Sequence, residues 1–134
     1  MNINPKLLKD VNEQLTLLNN KLNTKQDEGI LLFTNSNINT AFNPQTLNFD
    51  DTYSYYDIII SQDGTILKTC RVFAGDTSVD YILENNLNGF IRIRTVKVYS
   101  NKLVFNDAIF YETYNNYSTN NNQCIPYKII GYKN

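Results

Sequence analysis

The stretch SYYDIIISQDGTILKTCRVF, residues 54–73, decides the fold. Its two halves are rich in Tyr, Ile, Thr, Val and Phe, the types that fit a pleated, half-buried surface. Gln62-Asp63-Gly64 separates them, and Asp-Gly supplies the positive φ angles of a type I′ hairpin turn. The spacing predicts two antiparallel strands, 54–61 and 65–73, with Asp57 at the polar phase of the first. Working outward, similar runs predict strands over 30–35, 89–99, 102–105, 108–114 and 125–133, with a turn at Ser100-Asn101. Within 89–99 the apolar phase switches from Ile91 and Ile93 to Val96 and Val98, which predicts a β-bulge near Thr95 or a change of sheet. Seven short strands without a helical interruption argue for an all-β domain over 29–134, a β-sandwich or small barrel.

Residues 1–28 follow a different period. Asn4 is a good N-cap, and Pro5 then falls where a missing N–H costs nothing. Leu8, Val11, Leu15, Leu18 and Leu22 recur at spacings of three and four. They form a heptad with Leu8, Leu15 and Leu22 at a, and Val11 and Leu18 at d. The helix is predicted over 5–25, about 30 Å long at 1.5 Å per residue, and Gln26-Asp27-Glu28-Gly29 ends it. Its apolar stripe needs cover, either from the chain's own β domain or from identical helices of other copies. Asn12, Asn19, Gln14 and Lys21 at e and g leave the stripe narrow, which favours self-association into a coiled-coil stem. Leucine at a with a β-branched residue at d points away from two strands and towards three or more, and e and g positions without opposed charges suit a homo-oligomer.

The balance of 12 cationic against 13 acidic side chains leaves no concentration of positive charge to release counterions from phosphates. Arg92, Arg94, Lys97 and Lys102 lie close together and read as a solvated strand face, so no nucleic-acid partner is expected. No window approaches the roughly 20 apolar residues that span a bilayer, and the first residues carry no apolar signal core. The reading is therefore a product made in the cytoplasm, with no membrane partner.

No histidine exists to serve as a general base, which removes nucleophilic triads in their usual forms. Asp57, Asp63, Asp76 and Asp80 are available for a carboxylate pair, but their spacing specifies neither glycoside hydrolysis nor a calcium loop. Cys70 and Cys124 cannot complete a zinc site and read as two buried free thiols; pairing would need their Cα atoms within about 7 Å. The expectation is a non-enzymatic chain without metal or cofactor. Residues 111–122, YETYNNYSTNNN, read as a long polar loop. Its tyrosine rings offer apolar faces to sugars and its asparagines offer donors and acceptors to hydroxyls. Tyr114, Asn116 and Tyr117 are the candidate ligand-binding residues.

Leu31-Leu32-Phe33-Thr34-Asn35-Ser36-Asn37, Phe42-Asn43-Pro44-Gln45-Thr46-Leu47, the Tyr56-Asp57-Ile58-Ile59-Ile60 strand and the ending Cys124-Ile125-Pro126-Tyr127-Lys128-Ile129-Ile130-Gly131-Tyr132-Lys133 resemble a known domain. It is a small C-terminal β domain of fibre, tail-tip and head-decoration proteins in tailed bacteriophages of Gram-positive hosts. The resemblance covers nearly all of 30–134 and its motifs are structural. It implies a virion location, oligomeric and commonly trimeric assembly, attachment through the stem to a capsid or tail/baseplate protein, and a role in adsorption to the host cell wall. It transfers no binding residue. The chain lacks a long shaft, which favours a short head fibre or baseplate accessory. The alternative is a tail receptor-binding lectin that recognises a cell-wall saccharide.

Overall fold

A computed structural model of the protein describes residues 4–62, 66–75, 80–86 and 89–133, with the backbone alone at 21–27, 62 and 66. One helix, α1 (Pro5–Asp27), precedes nine strands. They are β1 (Ile30–Thr34), β2 (Gln45–Asn48), β3 (Tyr55–Gln62), β4 (Ile66–Phe73), β5 (Tyr81–Glu84), β6 (Ile91–Val98), β7 (Lys102–Thr113), β8 (Asn116–Thr119) and β9 (Ile125–Tyr132). Asn4 caps α1 as expected: its Oδ1 accepts the Lys6 amide at 2.9 Å, and its carbonyl accepts the Leu8 amide.

The strands form two antiparallel sheets, one in the order β1-β9-β3-β4 and one in the order β2-β7-β6-β5 with β8 added along β7. Alternation explains the core. In β3, Tyr56, Ile58 and Ile60 are fully buried between the sheets, and Tyr55, Asp57 and Ile59 point the other way. Val72, Ile129 and Ile125 join them from β4 and β9, and Leu83, Val96, Val98, Leu103 and Phe105 face them from the second sheet. The Tyr56 hydroxyl reaches across to the carbonyls of Tyr99 and Ser100, which ties β3 to the turn between β6 and β7. Gly131 lies inward beneath this layer. A Cβ there would stand 2.6 Å from Leu32 and 2.7 Å from the Tyr53 ring, so no larger residue fits.

β3 and β4 pair in register from Tyr55↔Phe73 to Gln62↔Ile66, as the opening stretch predicts. The Asp63-Gly64 turn itself lies outside the described residues, as does Asp76. Several expectations are corrected. The predicted strands 102–105 and 108–114 are one strand, β7, interrupted by a bulge. The bulge lies opposite Thr95, but the extra residue is in β7: Arg94 pairs with Ala108 and Val96 with Phe105. Asn106, one of the extra pair, donates to the Thr95 hydroxyl at 2.9 Å and holds the irregularity in place. The stretch 111–122 is not a long loop, because β8 folds back on β7 through a two-residue turn at Tyr114-Asn115. Strands β2, β5 and β8, each four residues long, carry too few alternations to stand out in the sequence.

The phase switch in β6 is only apparent. Arg92, Arg94, Val96 and Val98 all face inward, and Ile91 and Ile93 face outward. The basic group is therefore not a solvated face. Arg94 is fully buried and Arg92 is 8% exposed, while Lys97 lies 3.8 Å from Asp80 and Lys102 lies over the Tyr99 ring. Among the described residues, Arg94 meets no carboxylate within salt-bridge distance. It donates from Nε to the Cys124 carbonyl at 3.0 Å, from Nη1 to Asn106 at 2.8 Å, and from Nη2 to Gln123 and Asn121 at 3.1 and 3.3 Å. The Phe42 ring lies 5.3 Å from its guanidinium carbon. Burial lowers its pKa to about 10, which leaves it charged at neutral pH. Cys124 adopts φ +48°, a left-handed conformation that turns its carbonyl into this cluster's reach. Cys124 and Cys70 are free thiols, the first buried and the second only half-buried. Arg94→Met removes the donors and leaves buried carbonyls unsatisfied; chemical denaturation of the full chain should show a loss of about 3–5 kcal/mol. A loss under about 1 kcal/mol would mean that other donors replace the guanidinium.

Candidate functional site

Three surfaces carry side chains that the sandwich does not use. The first is α1. Leu8, Val11, Leu15 and Leu18 are 50%, 47%, 54% and 61% exposed, so the predicted a/d stripe finds no cover on the chain's own sheets. Leu7 and Leu17 are exposed as well, so the apolar surface is wider than a strict a/d seam. Leu22 lies in the helix, and its side chain falls outside the described residues.

The second surface is the tip of the β7-β8 hairpin. Tyr114 sits in the turn with its ring 92% exposed. Tyr117 is 62% exposed and leans on Tyr111, its cross-strand partner, with ring centroids 5.2 Å apart. Tyr111, Tyr114 and Tyr117 line an open groove of about 710 Å³ with Gly89, Ile91 and Glu112. The fold thus brings two of the three candidate ligand-binding residues together. Asn116 stays outside, with its amide donating to the Glu112 carboxylate at 3.0 Å. Tyr111 and Ile91 were missed because they read as ordinary strand residues; only the register of β6, β7 and β8 puts them in one row.

The third surface is the outer face of the β1-β9-β3-β4 sheet. Register places Asp57 between Arg71 of β4 and Ile130 of β9, and Tyr55 between Phe73 and Tyr132. Arg71 grips Asp57 with two parallel bonds of 2.8 and 2.9 Å, and the Tyr132 hydroxyl donates to the same carboxylate at 3.0 Å. The Tyr55 and Tyr132 rings stack at 4.7 Å and 9°, with the Arg71 guanidinium 4.8 and 5.3 Å from their centres. The hydrogen bond from Arg71 holds the Asp57 pKa below the usual carboxylate range, against the opposing effect of burial.

Both oxygens of the Asp57 carboxylate are engaged by donors from its own sheet. Among the described residues no group of three or more acidic or cysteine side chains is placed to hold a metal ion. No helix among them is long and apolar enough to cross a membrane. Compared with protein-family models, curated proteins and solved structures, the chain matches none.

Two outcomes are expected. Asp57 contributes stability above its ordinary pKa near 4, and that contribution is lost as pH falls through the depressed folded value. Asp57→Asn should therefore lower stability at pH 7 and flatten the fall in stability as pH drops below about 4, read by urea denaturation at each pH. Tyr114→Ala should change thermal stability by no more than about 0.5 kcal/mol, because its ring rests on little of the fold.

Proposed function

We propose that this protein is a structural fibre protein of a tailed-phage virion, non-enzymatic, and assembled from three copies. α1 forms a parallel coiled-coil stem that attaches to a capsid or baseplate protein, and the β-sandwich heads project from it. The observation that carries the reading is the uncovered leucine stripe on α1. Each leucine hidden from water is worth roughly 1.5–3 kcal/mol, and a lone helix realises little of that. Sister helices are the cover that this spacing fits, since Leu8, Val11, Leu15 and Leu18 recur at three and four. The resemblance of 30–134 to phage structural domains supplies the virion setting.

A second reading rests on the groove at the β7-β8 tip. Tyr114 presents an uncovered ring, with Tyr117 and Tyr111 beside it and Glu112 as an acceptor. These groups suit a saccharide ring, with its apolar face on tyrosine and its hydroxyls on carboxylate and amide. Weak sites of this kind, repeated on each head, would gain adsorption strength through avidity.

Light scattering at micromolar concentration tests the first reading. The full chain should show three times the single-chain mass, and the double variant Leu15→Glu/Leu18→Glu should show the single-chain mass with its strand signal intact by circular dichroism. A full chain that runs as a single copy would sink the fibre reading.

A further inference from the structure

The outer face of the β1-β9-β3-β4 sheet departs from the pattern expected of a sheet face left in water. Such faces alternate with the core and carry mostly polar side chains. Here the outward positions hold Tyr55, Ile59, Phe73, Ile130 and Tyr132, with Leu31 opposite Ile130. Leu31 is 56% exposed and Phe73 is 50% exposed.

The carboxylate within this patch is already held by donors from its own sheet. Asp57 takes both Arg71 bonds and the Tyr132 hydroxyl, so covering it leaves its carboxylate with three donors. Each tyrosine ring turns one face to the other, and the Arg71 guanidinium packs beside both. Tyrosine and arginine held rigidly in this way are the residues that dominate protein–protein contacts.

Gly29 fixes where the stem meets the head. A Cβ at this position would strike the Ile130 side chain and come within 2.8 Å of the Tyr132 ring, so the backbone leaving α1 runs directly over this face. In a parallel stem neighbouring helix axes lie about 8–10 Å apart. Only Glu28 and Gly29 separate α1 from β1, a reach of about 7 Å. The copies' Gly29 residues must then lie within roughly 30 Å of one another. The other sheet also exposes apolar side chains, Ile82 at 59% and Ile91 at 47%, so exposure alone does not choose between the faces. The point where the stem attaches does.

We propose that the outer face of the β1-β9-β3-β4 sheet, built from Leu31, Ile130, Tyr132, Tyr55 and Phe73, is a second interface between copies of this chain, where the heads close on one another at the end of the stem. This rests on the parallel-stem reading above, and the experiment separates the two. Full-length protein carrying Cys70→Ser receives one cysteine by Leu31→Cys, Phe73→Cys or Ile82→Cys, and the rate of labelling by a maleimide dye is measured beside the mass by light scattering. Cys124 is buried and gives the common background. Leu31→Cys and Phe73→Cys should react at least tenfold more slowly than Ile82→Cys. Adding Leu15→Glu/Leu18→Glu, which frees the copies, should raise them to the same rate. Equal rates in an oligomer of the expected mass, or slow reaction at Ile82→Cys instead, would overturn the interface and leave the stem. Equal rates at the single-chain mass would overturn both.

Discussion

The Arg94 guanidinium sits at the centre of the head, held by backbone carbonyls, and the second sheet is arranged around it. Arg94 enters from β6 and gives its donors to the carbonyls of Asn106, Asn121, Gln123 and Cys124. A buried cation is costly unless its donors are used, and a rigid fork of N–H groups can serve several carbonyls at once. The carbonyls of Asn106, Gln123 and Cys124 lie in the β7 bulge and the turn before β9, outside the regular ladder, and take their donors from the guanidinium. The same turn is held by Asn121, whose side chain accepts the Ala108 amide and whose carbonyl accepts the Phe42 amide. The charge therefore fastens three separate parts of the chain: the bulge, the 120–124 turn and the segment leading to β2. The positive φ at Cys124 persists for the same reason, since the surrounding bonds over-determine it.

The second sheet can then carry its irregular features without losing the core, and the first sheet is more regular. β3 is paired along its length on both sides, to β4 and to β9, and it supplies three of the fully buried side chains. Its outer face is organised by Asp57 and Arg71 in the way its inner face is organised by packing. A fold with this much internal satisfaction leaves its unspent surface in few places. Those places include the α1 stripe, the outer face near Gly29, the β7-β8 tip and Ile82 on β5, each outside the sandwich core.

That distribution suits a protein whose work is assembly and contact. The helix offers length and an apolar seam, and the head offers rigid faces. The hairpin tip differs from the other surfaces in one physical respect. Its leading tyrosine is solvated on nearly all sides, so both ring faces are open to a partner, whereas Tyr55 and Tyr132 each turn one face to the other.

The local periods of the chain were enough to read the helix with its Asn4 cap, the β3–β4 hairpin, the Ser100-Asn101 turn and an all-β head, because each depends on neighbours within a few residues. The exposed leucines of α1 were legible for the same reason: spacing alone defines the stripe. What tertiary structure alone decided were features whose partners lie far along the chain. Arg94 reads as a surface charge until carbonyls some 12 to 30 positions away converge on it, and the apparent phase switch in β6 follows from that. The polar run 111–122 reads as a loop because β8 consists of Asn, Tyr, Ser and Thr, and only pairing with β7 makes it a strand. The order of strands in the two sheets, and with it the row that joins Ile91, Tyr111 and Tyr117, is a matter of long-range register, on which a short-range pattern carries no information.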